Sequence, residues 1–585
     1  MTADQLERAA SRARWRGPAW SDSDRVWGLG AAVVSLLVTT PIIAIAIIAL
    51  SPTENIWPHL ARTVLPGYVI TTVLLITGVG LVTFVVGAGT AWLVTMYKFP
   101  GRNWLKWGLL MPLATPTYII AYTYVELFDY SGWIQQSLRA VFGWGSAADY
   151  WFPDIRSLPG AIFVMSVVLY PYVFLTARAS FIRQSICHLE VSRTLGRTAI
   201  GTFLSVALPL ARPAIVVGVS LAMMECLNDI GAVEYFGVNT LTVGIYSTWL
   251  NRGNLGGAAQ IACVMLIFVF VLIWLERVGR RGQRFHHTSQ RDCRPSLERL
   301  AGWRAWAAAL ACHLPVVFGF LVPGVLLVYF AFNNFAEAAS PGYFRYARNS
   351  ILLSSMAATV ALVIGVFLAY AHRLARSNAV RLAIRLSSLG YAVPGAVLGI
   401  GILVPFAGLD NAVDTVARDW FGVSTGLLLT GTMFSIVFAY VVRFLAIAFG
   451  SVDTGLARVT PSLAAAARTL GRTNAGALRE VHLPLIRPAL VTAALLVFVD
   501  SMKELPATLI LRPFNFDTLA THVYTYASLS LVRESALSAL TIVVAGLIPV
   551  ILLSRALQPA KAGLWRRARP EVDTPPADPL EKLIP

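Results

Sequence analysis

From residue 26 onward, long apolar runs alternate with short polar ones. Twelve apolar segments can be drawn, six in each half. In the first half they lie near 26–50, 67–97, 104–127, 158–182, 213–233 and 257–278. In the second half they lie near 306–332, 349–371, 383–408, 424–449, 488–511 and 536–556. At about 1.5 Å per helical residue, each is long enough to cross a hydrocarbon core about 30 Å thick. The pattern predicts an all-α integral membrane protein with about 12 transmembrane helices.

The polar connections alternate in charge. Lys98, Arg102 and Lys106 follow the second segment, and Arg373, Arg376, Arg381 and Arg385 follow the eighth. The intervening loops are poorer in basic residues and hold Asp129, Asp149, Asp154, Asp410, Asp414 and Asp419. Basic loops stay in the cytoplasm, so both termini are expected there.

The halves repeat each other. TTVLLITGVGLVTFVVGAGTAW (71–92) resembles NSILLSSMAATVALVIGVFLAY (349–370) at an offset of 278, and Pro116 matches Pro394 at the same offset. Two parallel six-helix halves follow, related by an axis along the membrane normal. The expected organisation is a cytoplasmic tail (1–25), a first half (26–278), a basic cytoplasmic linker (279–305), a second half (306–556) and a C-terminal cytoplasmic tail (557–585). The first apolar run has no small-residue cleavage site after it and is read as a retained helix rather than a signal peptide.

Composition agrees. Charged residues make up 13% of the chain, about half the soluble norm of roughly 25%, and the mean hydropathy is +0.67. The net charge of +17 orients the chain in a membrane rather than implying nucleic acid, because its arginines fall between apolar runs. The only lysines are Lys98, Lys106, Lys503, Lys561 and Lys582, and none precedes Ser or Thr. A Walker A loop is therefore absent, so any ATP must be bound by another subunit. The cysteines Cys187, Cys226, Cys263, Cys293 and Cys312 form no C-x-x-C pair and imply no disulfide framework or metal cluster.

One polar hexapeptide, RTLGRT, occurs at 193–198 and again at 468–473. In both copies nine residues separate the Gly, Gly196 or Gly471, from V-x-L-P, ending at Pro209 or Pro484. A helix ending at Gly, which tolerates a positive φ, and a second helical stretch stopping before Pro predict a cytoplasmic helix–turn–helix in each half. Such a surface suits a partner's groove.

These segments, EVSRTLGRTAIGTFLSVALPLARPAI and AAARTLGRTNAGALREVHLPLIRPAL, resemble the E-A-A…G…I-x-L-P loop of permease subunits of binding-protein-dependent ABC importers. The resemblance covers nearly the whole chain and implies the type I ABC importer permease fold. It implies a bacterial cytoplasmic membrane location, a solute-binding protein, and two copies of an ABC ATPase subunit that hold the ATP and magnesium. This chain is then a transport subunit, not an enzyme, and binds no cofactor itself. Glu190, Gly196 and Pro209 occupy motif positions in the first half, and Gly471 and Pro484 in the second. The acidic position of the second copy is Ala465. Arg193, Arg197, Arg468 and Arg472 complete the two coupling loops.

The segments after these loops carry the residues most costly to bury. Glu225, Asn228 and Asp229 fall in the fifth span, and Asp500, Lys503 and Glu504 in the eleventh. A charge at mid-membrane costs roughly 2.5–3.5 kcal/mol on insertion scales. Glu225 matches Asp500, and Asp229 matches Glu504, both at an offset of 275. The i, i+4 spacing puts each acidic pair on one helix face, lining a central path. The alternative is structural, with Lys503 paired to a carboxylate and locking helices together.

The stretches DIGAVEYFGVNTLTVGIY and KELPATLILRPFNFDTLATHVY resemble the fused permeases of ferric-iron importers. Permeases for thiamine, 2-aminoethylphosphonate and other small solutes are similar. A twelve-span secondary transporter is the rival from another class, but it leaves the twin loops unexplained. Arg178 and Arg443 are expected to snorkel to the cytoplasmic interface. Trp144, Tyr150, Trp151 and Phe152 are expected at the outer interface, and His286-His287 are read as a solvated pair rather than a metal site.

Overall fold

The computed structural model describes residues 22–184, 191–192, 194–280, 298–375 and 377–556. The first half contains α1 (Asp22–Leu50), α2 (Leu65–Met96), α3 (Thr117–Phe128), α4 (Leu158–Arg183), α5 (Leu208–Asn228), α6 (Gly231–Tyr235), α7 (Leu241–Tyr246) and α8 (Leu255–Arg280). The second half repeats the series as α9 (Trp303–Asn333), α10 (Pro341–Leu374), α11 (Gly395–Phe421), α12 (Met433–Ala457), α13 (Arg487–Met502), α14 (Pro506–Leu511), α15 (Leu519–Ser528) and α16 (Ala536–Ala556).

Among the described residues, nine helices are long and apolar enough to cross a membrane. A tenth span is the pair Asn474–Leu485 and Arg487–Met502, bent by 80° at Ile486. The shorter α16 and the broken segment from Arg102 to Phe128 account for the other two predicted segments. The third segment is no single helix. It contains the helix Arg102–Gly108, a 3-10 turn at Met111–Ala114 and then α3, with Pro116 extended at ψ 144° before it. The ninth repeats this, with Asn378–Ser387, a 3-10 turn at Leu389–Ala392, Pro394 at ψ 144° and α11. Proline cannot supply the missing amide, so the chain breaks at the same place twice.

Apolar surface covers the outside. Leu29, Leu36, Ile47, Leu81, Val85, Val325 and Val363 are all exposed. This is the reverse of a water-soluble exterior and suits a surface facing lipid.

The halves interlock. α2 packs chiefly on α4, and α10 on α12, so each half has the same inner pair. The first helix of each half lies partly on the other half. α1 packs on α8 of its own half and on α11 of the other. α9 packs on α16 and reaches α3 and α4, where the Tyr124 hydroxyl donates to the Phe318 carbonyl at 2.7 Å. The basic linker starts from α8, and its return runs parallel to the end of α2, with β1 (Tyr97–Lys98) paired to β2 (Glu298–Arg299). Residues 281–297, including Arg281, Arg284, His286, His287, Arg291, Cys293 and Arg294, lie outside the described residues, as do the two tails apart from 22–25. Cys226, Cys263 and Cys312 are free thiols, and Cys187 is outside the description.

Close approach of α1 to α11 depends on Gly401, where a Cβ would meet the Pro41 carbonyl oxygen at 2.3 Å. Overpacking of this kind costs about 1–3 kcal/mol. Gly401→Val should therefore lower the melting temperature of the detergent-solubilised protein, while Gly67→Ala, with nothing within 4 Å of its Cβ position, should not. Equal melting curves for the two variants would show that α1 is not seated on the second half.

Candidate functional site

Two regions answer to the sequence expectations, the twin loops and a cavity between the halves. Both start from local backbone chemistry.

In the first loop, Gly196 has φ +83°, and in the second Gly471 has φ +81°. The amide after each glycine donates back to the preceding helix, Arg197 to the Ser192 carbonyl at 3.2 Å and Arg472 to the Ala467 carbonyl at 3.1 Å. This is the long-range bond of a Schellman stop. Thr198 and Thr473 then cap the next helix, each accepting from an amide three residues on (Gly201, Gly476) at 3.1 Å. A Cβ at either glycine would touch nothing within 4 Å, so the positive φ alone demands glycine there.

The second helical stretch does not stop before Pro209 or Pro484 as expected. It widens into a π turn, Phe203–Ala207 and Leu478–His482, and continues through the proline. The carbonyls of Ser205 and Glu480, four residues before each proline, lie inside these wider turns, which relieves the clash a proline ring makes with that carbonyl.

The leucine of each hexapeptide points outward, with Leu195 78% and Leu470 82% exposed. Each loop is held from within by different groups. Trp92 packs against Phe203 and Phe181 in the first. In the second, the Tyr370 hydroxyl donates to the Asn474 carbonyl at 2.7 Å, and His482 is buried. Arg472 pairs with Glu480 at 3.1 Å on the surface, and Ser205 stands at the matching place in the first loop. Arg197 and Ala465 are exposed. Glu190 and Arg193 lie outside the described residues, and Arg468 sits in the helix Pro461–Thr469 with its side chain undescribed.

The cavity holds about 70 Å³, room for a few waters, each needing about 10–15 Å³ of such space. Glu225, Asn228, Asp229, Asp500, Lys503 and Glu504 all line it. The i, i+4 helix face expected for the acidic pairs does not exist, because α5 ends at Asn228 and α13 at Met502. Asp229 leaves the helix with ψ 128°. Its carboxylate accepts from the Ala232 amide at 2.7 Å, at the start of α6, and from the Thr117 hydroxyl at the start of α3. Glu504 does the same 275 residues on, accepting from the Ala507 amide at 3.3 Å at the start of α14. Free amides at helix starts favour negative groups, so these two carboxylates terminate broken helices.

Arg443 is not at the interface where it was expected. It does not snorkel. It is buried, 6% exposed, with Nη1 donating to Asn228 Oδ1 at 2.8 Å and to Glu504 Oε1 at 3.1 Å. A guanidinium ten residues into an apolar helix reaches no interface when carboxylate and amide acceptors lie beside it. Asn228 also accepts from the Gly395 amide at 2.7 Å, so one asparagine of the first half is held by two groups of the second. Gly395 must lack a side chain, since a Cβ would lie 2.5 Å from Glu504 Oε1 and 2.6 Å from Arg443 Nη1. Arg178 is half-buried, and its Nη1 donates to the Lys106 carbonyl at 3.2 Å.

Lys503 pairs with Asp500 at 2.8 Å. Glu225 makes no hydrogen bond or ion pair among the described residues. The Tyr118 hydroxyl and Arg443 Nε also lack a protein partner there, which leaves them open to water or a passing solute. With all four carboxylates ionised against Lys503 and Arg443, the cavity carries two net negative charges (four minus two). Among the described residues no three His, Cys, Asp or Glu side chains come together as a metal-holding group. The aromatics expected at the outer interface do not form one group: Trp144 stacks on Tyr150 at 4.7 Å, Phe152 lies near Phe128 at 6.1 Å, and Trp151 is exposed.

The family model described as "Binding-protein-dependent transport system inner membrane component" matches residues 83–284 and again 361–563. The Fe(3+)-transport system permease protein FbpB 2 of Haemophilus influenzae is 24% identical over 83% of this chain and 88% of its own length. The ferric transport system permease protein FbpB of Actinobacillus pleuropneumoniae is 22% identical over 82% of this chain and 70% of its own. A putative 2-aminoethylphosphonate transport system permease protein, PhnV of Salmonella paratyphi A, is 29% identical over 43% of this chain and 92% of its own.

Breaking a buried pair by removing one partner costs about 3–5 kcal/mol, whereas removing both charges costs far less. Arg443→Met should sharply lower the melting temperature in detergent, and adding Glu504→Gln to it should restore much of the loss. If the double variant melts no higher than the single one, Arg443 and Glu504 do not depend on each other.

Proposed function

Because the chain belongs to the family of binding-protein-dependent transport system inner membrane components, we propose that it is the fused permease of an ABC importer for ferric iron. The family fixes the coarser part: the chain is a multi-pass permease of the inner membrane, and ATP hydrolysis resides in a separate subunit.

The observation that carries the transport reading is the pair of loops. Both end a helix at a positive-φ glycine and present an unpartnered leucine to solvent, 275 residues apart. Two equal docking knobs suit two copies of an ATPase, one per half, on the cytoplasmic side. ATP and magnesium are held by that partner. Closure of the ATPase pair would move both loops and rock the halves about the cavity. Contacts across the halves would have to yield in that motion. They are Asn228 with Arg443 (2.8 Å), Tyr524 with Glu234 (2.6 Å) and Arg533 with Glu126 (2.6 Å).

The sign of the cavity favours a cation. Phosphonate and sulfate are anions and would be disfavoured where four carboxylates face two cations, whereas a trivalent hard cation favours oxygen ligands. Glu225, which makes no hydrogen bond or ion pair among the described residues, and the Asp500–Lys503 pair are the groups able to meet it, because Asp229 and Glu504 are engaged at helix starts. A dispersed set of carboxylates suits passage rather than storage. A solute-binding protein delivers the iron from the outer side.

The test is reconstitution of the chain in liposomes with its ATPase and the loaded binding protein. ATP-dependent uptake of radioactive iron is expected, and Glu225→Gln with Asp500→Asn should reduce it at unchanged assembly. Uptake driven by a proton gradient without any ATPase would reject the importer reading. Uptake of a phosphonate but not iron would reject only the solute. Separately, Leu195→Asp with Leu470→Asp should release the ATPase in pull-down while the chain keeps its melting temperature. Undiminished binding would remove the loops from the docking role.

A further inference from the structure

A second cavity lies on the outside of the first half, between α2, α5 and α8. It encloses about 650 Å³, within the about 300–1,000 Å³ typical of small-molecule sites. Its walls are almost wholly apolar, from Phe84 on α2, Ile215, Val219 and Met223 on α5, and Leu272 on α8. Leu81 and Leu275 on its rim are 61% and 48% exposed, so it opens on the same apolar exterior that faces the bilayer.

Arg212 is the one charged residue of the lining. It is exposed and makes no ion pair or hydrogen bond among the described residues. It stands three residues after Pro209, near the end of the groove closest to the first loop. Leu208 and Pro209 line the groove on the loop side of Arg212, and the other lining residues of α5 extend from Arg212 to Met223. The groove is thus apolar along its length and cationic at its polar end.

We propose that this groove binds an anionic phospholipid, with an acyl chain between α2, α5 and α8 and the headgroup phosphate on Arg212. A crevice open to hydrocarbon is filled by acyl chains, since no water is there to fill it. A free guanidinium beside the headgroup layer gives a charge-assisted bond to phosphate and favours lipids with net negative charge. The lipid would lie against α5, the helix that continues from the first loop to the cavity at Asn228.

The test uses the full chain purified in detergent and native mass spectrometry with phosphatidylglycerol or phosphatidylcholine added. Phosphatidylglycerol adducts should exceed phosphatidylcholine adducts. Arg212→Gln should reduce the phosphatidylglycerol adduct about fivefold, the factor matching about 1 kcal/mol per basic residue at an anionic surface. Arg212→Lys should keep most of it. Val219→Phe, which fills the groove, should lower both adducts while the melting curve verifies folding. Equal phosphatidylglycerol binding by wild type and Arg212→Gln would overturn the proposal. So would Val219→Phe retaining both lipids, or a small protein in place of lipid in the wild-type spectrum.

Discussion

A helix broken inside an apolar slab leaves amides that water cannot reach, and this molecule depends on how those amides are satisfied. Asp229 and Glu504 do it from the side chain, at the starts of α6 and α14. Pro116 and Pro394 open α3 and α11 beside them. Further along, Leu241 and Leu519 donate their amides to Thr72 and Ser350, at 3.0 and 2.8 Å, again an offset of 278 on both sides. The breaks bring four helix starts to the midline, and polar side chains can converge only where the breaks are. The cavity is a by-product of terminating helices in a dry place.

The same breaks explain how a buried arginine is tolerated. Arg443 would be prohibitive in an unbroken bundle. Here it finds Glu504, Asn228 and the start of α11 within hydrogen-bonding reach of one another. The clamp also ties the halves, because Asn228 belongs to one and its two donors to the other. The exchange of α1 and α9 between halves holds the periphery, and this polar knot holds the centre.

Much of this was legible in the sequence. Apolar runs gave the twelve segments, and the RTLGRT spacing placed both positive-φ glycines correctly. The carboxylates were found because charge in an apolar run is conspicuous. What was missed depends on distance across the fold. The helix ends at Asn228 and Met502 are marked only by Gly231 and Pro506 a few residues on, and Asp229 and Glu504 look like ordinary helix-face residues until the amides they cap are seen. The burial of Arg443 is not legible because periodicity reports depth along a helix and says nothing of acceptors on a neighbour. The π turns before Pro209 and Pro484 were missed for a similar reason. A proline announces a disturbance but not whether the helix stops or widens.

Equivalent positions around the cavity are occupied unequally. Val168 and Asn228 of the first half stand where the second half has Arg443 and Lys503. With every group ionised, the first half contributes Glu225 and Asp229, a charge of −2, and the second contributes Asp500, Glu504, Lys503 and Arg443, which sum to zero. A twofold homodimer must present each patch to itself. A dimer of first halves would then hold −4 with no cation, and a dimer of second halves would be neutral with two guanidiniums near one axis. Covalent fusion lets related positions drift apart without doubling each change, and the intermediate charge of this cavity is open only to a pair of unlike halves.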